Sequence, residues 1–373
     1  MKIMVFSSYM DAWNSVRPEA EMFIAIAQQG HQVTVVTQGN ADYVARFRDQ
    51  GLTVIDTYPT KKICCNTIKR LRHELKKDHY DIVYATNSRT IPNAAFACIG
   101  FPETKLVTYR GTVGGLYRHD PSAYLTHLHP RVDGISCVAD KVREDVAKQV
   151  WSNKHNIVAI HKGHNLAWYQ TQAADLSILN ITADDFIIIC VANARPSKGV
   201  HVLLEAMQYL VKEPNIHLLL AGRGIDTAAN QKLAQQASYP NNIHFLGYRT
   251  DVPELMAAAD VQIQPSVSGE GLPKTVIEAM AMAIPSIVTT TGGNAEIVTD
   301  GVTGFVVETN DSHAIADKIN YLYHNHNEAK TMGLKAQNYI ATTLSVDNTA
   351  KQHLAFFKRL LTQSITSHKK PTN

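Results

Sequence analysis

Short apolar runs rich in Val and Ile recur along the chain, and each is followed by a stretch with helical periodicity. Several runs lack the alternation with polar residues that marks a half-exposed strand, so they are typical of parallel strands buried on both faces. Two βαβ series follow one another, which predicts an α/β protein. The predicted strands are Ile3 to Phe6, Val33 to Thr37, Leu52 to Ile55, Asp81 to Ala85, Lys105 to Tyr109, Gly134 to Val138, Ile157 to Ile160, Phe186 to Ala192, Ile216 to Ala221, Ile243 to Leu246, Val261 to Pro265, Ser286 to Thr289 and Gly304 to Val307.

The apolar periodicity lapses between Gly163 and Asp185, and we place an interdomain linker there. This predicts an N-terminal domain over residues 1–165 and a C-terminal domain over 175–345. Residues 346–366 are expected to form a last helix, with packing against the N-terminal domain as one arrangement, and Ser367 to Asn373 a frayed tail. Ligands of such sheets bind at the carboxyl ends of strands.

Length and composition exclude several classes of protein. The 373 residues suit two globular domains, and a net charge of +3 is too small for the basic field that drives non-specific nucleic-acid binding. The five cysteines have no zinc or disulfide spacing, which fits a reducing compartment. Because no apolar stretch is long enough to cross a bilayer and the N-terminus reads as a strand, we expect a cytoplasmic protein.

Two cations follow the strand Phe186 to Ala192. Arg195 and Lys198 precede a segment with helical periodicity, where free backbone N–H groups already favour an anion. The pair therefore predicts an anion site. In the alternative interpretation Lys198 is solvated and Arg195 pairs with a carboxylate.

A glycine-flanked loop carries Glu270, and a helix beginning near Pro273 carries Glu278 in its second turn. The first-turn N–H groups around Lys274 and Thr275 can receive phosphate oxygens, while the carboxylates can accept hydrogen bonds from sugar hydroxyls. The alternative is that Glu278 only complements its helix dipole and Glu270 is an exposed loop acid.

The stretch from Glu270 to Ala281, Glu-Gly-Leu-Pro-x4-Glu-Ala-Met-Ala, is preceded by Pro265-Ser266 and followed by Gly292-Gly293. It resembles the donor site of family 4 retaining glycosyltransferases (glycosyl transferases group 1). The resemblance implies the GT-B fold, in which two Rossmann-like, doubly wound domains face a central cleft. It covers most of the second half, through Lys198-Gly199, Ala221-Gly222-Arg223-Gly224, Phe245-Leu246-Gly247-Tyr248 and Asp300 to Phe305.

The resemblance also implies roles for single residues. Arg195 and Lys198 would bind the donor diphosphate, Glu270 the transferred sugar and Glu278 the ribose. Tyr248 would lie near the base, and Gly271, Leu272, Lys274 and Thr275 would complete the donor site. The sequence departs from the family at Asn193, because the usual arginine stands five residues before the lysine and Arg195 only three.

The first half matches the family loosely, with Ser15 to Glu19 in place of a glycine pair. Arg110 stands after Thr108-Tyr109 where the family commonly has a histidine, so it is a catalytic candidate that would supply positive charge to the leaving phosphate. The alternative is a structural arginine paired with an aspartate. His119, His127 and His129 are weaker candidates, each readable as a structural histidine.

The segment 61–77 is rich in lysine and arginine, with Ile68, Leu71 and Leu75 on one stripe of a predicted helix. Its basic face suits weak peripheral contact with the inner face of an anionic membrane. The alternative is a solvated lysine face over a buried stripe.

Together these features predict a hexosyltransferase that uses a nucleotide-diphosphate-sugar and, by resemblance, retains the anomeric configuration. The expected acceptor is a hydroxyl of a glycan or lipid-linked glycan in cell-envelope synthesis. No metal motif is present, and no cofactor beyond the nucleotide sugar is expected. The alternatives are an epimerase or phosphorylase of the same fold, or a non-catalytic nucleotide-sugar-binding subunit.

Overall fold

The computed structural model describes residues 1–11, 16–151, 154–211 and 215–367. The predicted tail beyond Ser367, and Ser15 of the segment that replaces the glycine pair, lie outside the described residues. The strands are β1 (Lys2–Phe6), β2 (Gln32–Thr37), β3 (Thr53–Asp56), β4 (Ile82–Ala85), β5 (Lys105–Arg110), β6 (Gly134–Cys137), β7 (Ile157–Ala159), β8 (Phe186–Val191), β9 (Ile216–Ala221), β10 (Ile243–Gly247), β11 (Val261–Gln264), β12 (Ser286–Thr289) and β13 (Gly304–Val307). The helices are α1 (Arg17–Gln28), α2 (Val44–Asp49), α3 (Cys65–Asp78), α4 (Thr90–Ala97), α5 (Asp140–Gln149), α6 (Val200–Ala206), α7 (Ala228–Ala234), α8 (Val252–Ala257), α9 (Lys274–Ala281), α10 (Asn294–Ile297), α11 (Ser312–His324), α12 (His326–Thr342) and α13 (Val346–Ser367).

Two compact units divide the chain. The first unit contains residues 1–163 and the chain from Leu344 on, and the second contains His164–Thr343. The first unit has a seven-stranded sheet of order β3-β2-β1-β4-β5-β6-β7, and the second a six-stranded sheet of order β10-β9-β8-β11-β12-β13. All ladders between these strands are parallel. The strand order reverses once in each sheet, so the predicted doubly wound α/β fold is confirmed for both units.

Strand β1 shows why the first unit's strands are apolar throughout. Ile3 and Val5 pack into one buried cluster, whereas Met4 and Phe6 pack into another on the opposite face. Helix α13 supplies Leu354, Phe356, Phe357 and Leu360 to the cluster around Ile3, so the last helix belongs to the first unit's core.

Helix α3 contains the stripe that was considered for a membrane contact. Leu71 and Leu75 are buried in the first unit's core and Ile68 is partly buried there. The stripe is therefore occupied by internal packing, and the exposed face of the segment consists mainly of lysine and arginine side chains. Among the described residues, none of the helices has the length and apolar character that a membrane span requires.

Strand β8 organises the second unit in the same way. Ile188 and Cys190 face one buried cluster, and Ile187 and Ile189 face the other. The neighbouring strand β11 differs because two of its four residues are glutamines, Gln262 and Gln264, and both are buried. Polar side chains inside a sheet need a reason to be there.

Candidate active site

A pocket of about 350 Å³ lies in the second unit at the carboxyl ends of β8 and β11, where the strand order reverses. This is the place where open α/β sheets bind ligands. The loop after β8, the loop after β11 and the first turn of α9 line it. The lining residues are Val191, Ala192, Asn193, Lys198, Ala221, Gly222, Tyr248, Arg249, Val252, Gln264, Glu270, Leu272, Pro273, Lys274 and Thr275.

Close backbone contact holds the two loops together. The Val267 N–H donates to the Ser197 carbonyl at 2.8 Å. Gly199 has a φ of 65°, and a Cβ built there would lie 1.9 Å from the Pro265 carbonyl oxygen. Only glycine combines that left-handed conformation with so close an approach, so Gly199 fixes the position of Lys198 relative to the Glu270 loop.

The centre of the site is an ion pair between Lys198 and Glu270. Lys198 Nζ lies 2.6 Å from Glu270 Oε1, and the Glu270 side chain is only 8% exposed. The same oxygen accepts hydrogen bonds from Ser266 Oγ at 2.5 Å and from Gln264 Nε2 at 3.1 Å. Neither alternative from the sequence describes these residues, since Lys198 is paired and Glu270 is buried.

Gln264 connects this carboxylate to α9. Its Oε1 accepts a hydrogen bond from Thr275 Oγ1 at 2.9 Å, and its Nε2 donates to Ser266 Oγ at 2.9 Å as well as to Glu270. Gln264 was not predicted from the sequence as a site residue. The available signal was a polar side chain at the carboxyl end of an otherwise buried strand.

The start of α9 presents a second cation. Lys274 and Thr275 line the pocket in the first turn of the helix, and Lys274 Nζ lies 2.9 Å from Glu278 Oε1. Glu278 itself is not among the pocket-lining residues. Leu272 lines the pocket, and the Gly271 carbonyl accepts the Gly293 N–H at 2.9 Å, which anchors the loop from behind.

The other end of the pocket is aromatic and charged. Tyr248 is 66% exposed and lines the pocket, with the Arg223 guanidinium 5.1 Å from its ring centroid. Arg249, which was not predicted from the sequence, also lines the pocket and pairs with Asp251 at 2.5 Å. The hydrogen bond from Arg249 holds the pKa of the Asp251 carboxyl below its ordinary value. A flat ring beside fixed charges is suited to stacking on a planar heterocycle.

Two predicted arginines lie elsewhere. Arg195 is exposed and is not among the pocket-lining residues, whereas Asn193, at the family's usual arginine position, is. Arg110 lies in the first unit, where its guanidinium donates to the carbonyls of Thr112 and Gly114. Burial lowers the Arg110 pKa. In this structure Arg110 therefore holds its own loop together.

Among the described residues, no histidine lines the pocket. His127 is buried and contacts Thr108 Oγ1 at 3.0 Å, and burial lowers its pKa to about 3. Groups of three or more His, Cys, Asp or Glu side chains that could hold a metal ion do not occur within the described ranges.

Both halves of the chain match models of known protein families. Residues 171–339 match the family model "Glycosyl transferases group 1", and residues 20–168 match "Glycosyltransferase Family 4". The chain belongs to glycosyltransferase family 4. Its second unit contains the whole of the first match, and its two doubly wound sheets are those of the GT-B fold, so the predicted family and fold are confirmed.

Two relatives of the chain are informative. The chain is 27% identical to the N-acetyl-alpha-D-glucosaminyl L-malate synthase of Bacillus anthracis, over 48% of this chain and 47% of that protein. It is 25% identical to the UDP-Gal:alpha-D-GlcNAc-diphosphoundecaprenol alpha-1,3-galactosyltransferase of Escherichia coli, over 64% and 65%. The chain thus spans less than two thirds of either relative's length.

Solved structures support the fold over nearly the whole chain. Anabaena Alr3699/HepE in complex with UDP superposes with a TM-score of 0.74 at 20% identity, covering 96% of this chain and 100% of that one. Its complex with UDP-glucose gives a TM-score of 0.69 at 19% identity, covering 98% and 100%. At this identity the likeness establishes the fold alone.

Proposed function

We propose that this family 4 glycosyltransferase transfers a hexosyl unit from a UDP-sugar to a hydroxyl acceptor with retention of configuration. The single observation that carries the proposal is the pocket of the second unit, where Lys198, Glu270 and the first turn of α9 line one space. The complexes of HepE with UDP and with UDP-glucose support a uridine donor. On this proposal the second unit binds the donor and the first unit the acceptor.

Leaving-group stabilisation is the main chemical task. As the bond between the sugar C1 and the phosphate oxygen breaks, negative charge collects on the β-phosphate. Lys198, Lys274 and the free N–H groups at the start of α9 are positive groups that line the pocket, and they neutralise that charge. Arg195 and Arg110 do not line the pocket, so we assign them smaller roles.

The acceptor oxygen forms its bond to C1 on the face that the phosphate leaves. Its proton passes to the departing phosphate oxygen, and the products are the glycoside and UDP. Glu270 accepts hydrogen bonds from the sugar hydroxyls, Tyr248 stacks near the base, and Glu278 steadies Lys274 and the ribose end. We propose that this chemistry needs neither a metal ion nor a further cofactor.

The acceptor class is the least constrained part of the proposal. We propose a glycan or lipid-linked glycan hydroxyl of the cell envelope, which the diphosphoundecaprenol-directed relative supports. A cytoplasmic enzyme of this kind would contact the inner face of the membrane through the exposed cations of segment 61–77. Because the apolar stripe of α3 is buried, such contact is electrostatic, and sedimentation with anionic vesicles should disappear at high salt.

The test measures UDP release from UDP-sugars with and without a panel of glycan and lipid-diphosphate acceptors. We expect Lys198→Ala and Glu270→Gln to reduce turnover by about 10²- to 10³-fold, as losses of transition-state contacts do. Lys232→Ala, which removes an exposed lysine on α7, is the matched control and should leave turnover unchanged.

Each alternative function has its own signature in this assay. Conversion of the donor sugar without acceptor would identify an epimerase, and dependence on added pyridoxal phosphate a phosphorylase. Binding of UDP-sugar with no turnover across the panel would identify a non-catalytic subunit. Complete loss of turnover in EDTA would refute metal independence, and an inverted product anomer would refute retention.

A further inference from the structure

The two carboxylate oxygens of Glu270 differ in their hydrogen bonds. Lys198, Gln264 and Ser266 all donate to Oε1. Within the part of the chain that the structure describes, no recorded hydrogen bond reaches Oε2, although Glu270 lines the pocket. The carboxylate is therefore held at one oxygen and available at the other.

Gln264 is the member of this network that cannot be replaced by a simple donor. It is 3% exposed, and both ends of its amide are engaged. The amide nitrogen must face Glu270, because the reverse orientation would place the amide oxygen against a carboxylate. The amide oxygen consequently faces Thr275 and accepts its hydroxyl proton.

This orientation of the Gln264 amide determines which hydrogen-bond donors of Thr275 are available to a ligand. A hydroxyl has one proton, and Thr275 gives it to Gln264, so only the backbone N–H of Thr275 remains as a donor for a phosphate oxygen. The diphosphate end of the pocket and the sugar-binding carboxylate are thereby linked through one buried amide.

We infer that Gln264 is a positioning residue that presents Glu270 Oε2 to the donor sugar and turns the Thr275 hydroxyl away from the diphosphate. The inference rests on the proposed function, because it assigns the sugar-recognition step of that donor site. It predicts that Gln264 affects the sugar part of the donor and not its nucleotide part.

The chain offers a closely matched control. Gln262 lies two residues earlier on the same strand and the same face, and it is fully buried. It is not among the pocket-lining residues. Gln262→Leu and Gln264→Leu are therefore the same substitution on the same strand face, and only the second removes the contacts to Glu270 and Thr275.

The first experiment measures binding of UDP and of the active UDP-sugar by calorimetry, together with turnover. For Gln264→Leu we expect turnover and UDP-sugar affinity to fall about 10- to 100-fold, the range for lost hydrogen bonds to a charged group. UDP affinity should stay level or rise, since the Thr275 hydroxyl becomes free for phosphate. Gln262→Leu should leave all three quantities unchanged.

A second variant adds a pH readout that a merely structural residue would not give. In Gln264→Glu, a new carboxyl faces Glu270, and the repulsion between two like charges raises the pKa of the new carboxyl. The protonated form can donate to Glu270 as the amide does. Turnover should therefore be present at low pH and decline as pH rises through that pKa, a limb that the wild-type glutamine lacks.

The outcomes separate the inference from the proposed function. If the wild-type chain binds no UDP-sugar, the proposed function fails and the inference falls with it. If the wild type binds and turns over the donor but Gln264→Leu loses UDP and UDP-sugar affinity equally, the inference alone is overturned. A Gln264→Glu profile identical in shape to that of the wild type would overturn it as well.

Discussion

Gly292 has a left-handed backbone conformation and lies directly against the backbone of Glu270, the proposed sugar-binding carboxylate. Its φ is 61°, and a Cβ built there would lie 2.2 Å from the Glu270 carbonyl oxygen and 2.6 Å from Glu270 Cβ. A Gly292→Ala substitution thus introduces left-handed strain of about 1–2 kcal/mol. It also introduces a steric overlap with backbone that costs about 1–3 kcal/mol to relieve.

Gly301 separates these two effects. Its φ is 68°, but a Cβ built there meets nothing within 4 Å, so Gly301→Ala carries the strain without the overlap. We expect urea unfolding to show a loss of about 1–2 kcal/mol for Gly301→Ala and about 2–5 kcal/mol for Gly292→Ala.

The two variants should differ more in their turnover of UDP-sugar than in their stability. Displacement of Glu270 by about 1 Å is expected to reduce turnover on the order of 10²-fold in Gly292→Ala, whereas Gly301→Ala should retain wild-type turnover after correction for the folded fraction. Equal stability losses and equal turnover in the two variants would show that contact between Gly292 and Glu270 does not position the carboxylate.

Two further predictions concern the first unit. Phe357→Ala should lower the free energy of unfolding by about 3–5 kcal/mol, because Phe357 is fully buried against Tyr84. Lys358→Ala removes an exposed side chain on the same helix and should change the free energy of unfolding by less than about 0.5 kcal/mol. Equal effects of the two substitutions in a urea titration would contradict the assignment of α13 to the core. Burial lowers the pKa of His353 to about 4 from an ordinary 6.5, so the unfolded chain takes up a proton at a higher pH than the folded chain does. The free energy of unfolding should therefore be greatest above about pH 6.5 and decline as pH falls toward 4. His353→Gln should flatten that decline by about one proton, measured as the urea midpoint against pH, and an unchanged slope would count against the neutral buried imidazole.

The sequence predicted the strands well because their chemistry is local. Runs such as Phe186 to Ala192 are apolar at every position, and each predicted strand is found with its ends shifted by no more than one residue. Lys198 and Glu270 were predicted from the sequence to share one site, and both line the same pocket. They do so because each follows a strand, and these two strands are neighbours where the strand order reverses.

What the sequence could not supply were contacts between residues far apart in the chain. The pairing of Lys198 with Glu270 and of Gln264 with Thr275 depends on how two loops and a helix end meet. Arg195 illustrates the same limit, because its position before Lys198 suggested a shared ligand, yet Arg195 is exposed and does not line the pocket. Charge patterns indicate candidates, but side-chain direction is decided by tertiary packing.

The path of the chain through the two units affects the order in which they can fold. The second unit is one continuous segment, His164–Thr343, whereas the first unit needs α13, which follows that segment. During translation the second unit can complete its core while the first unit still lacks Phe357 and its neighbours. A chain truncated after Thr343 would thus contain the complete second unit, while the first unit would lack the apolar side chains of α13 and expose the surface that they cover. Exposed apolar surface of this kind is what chaperones bind.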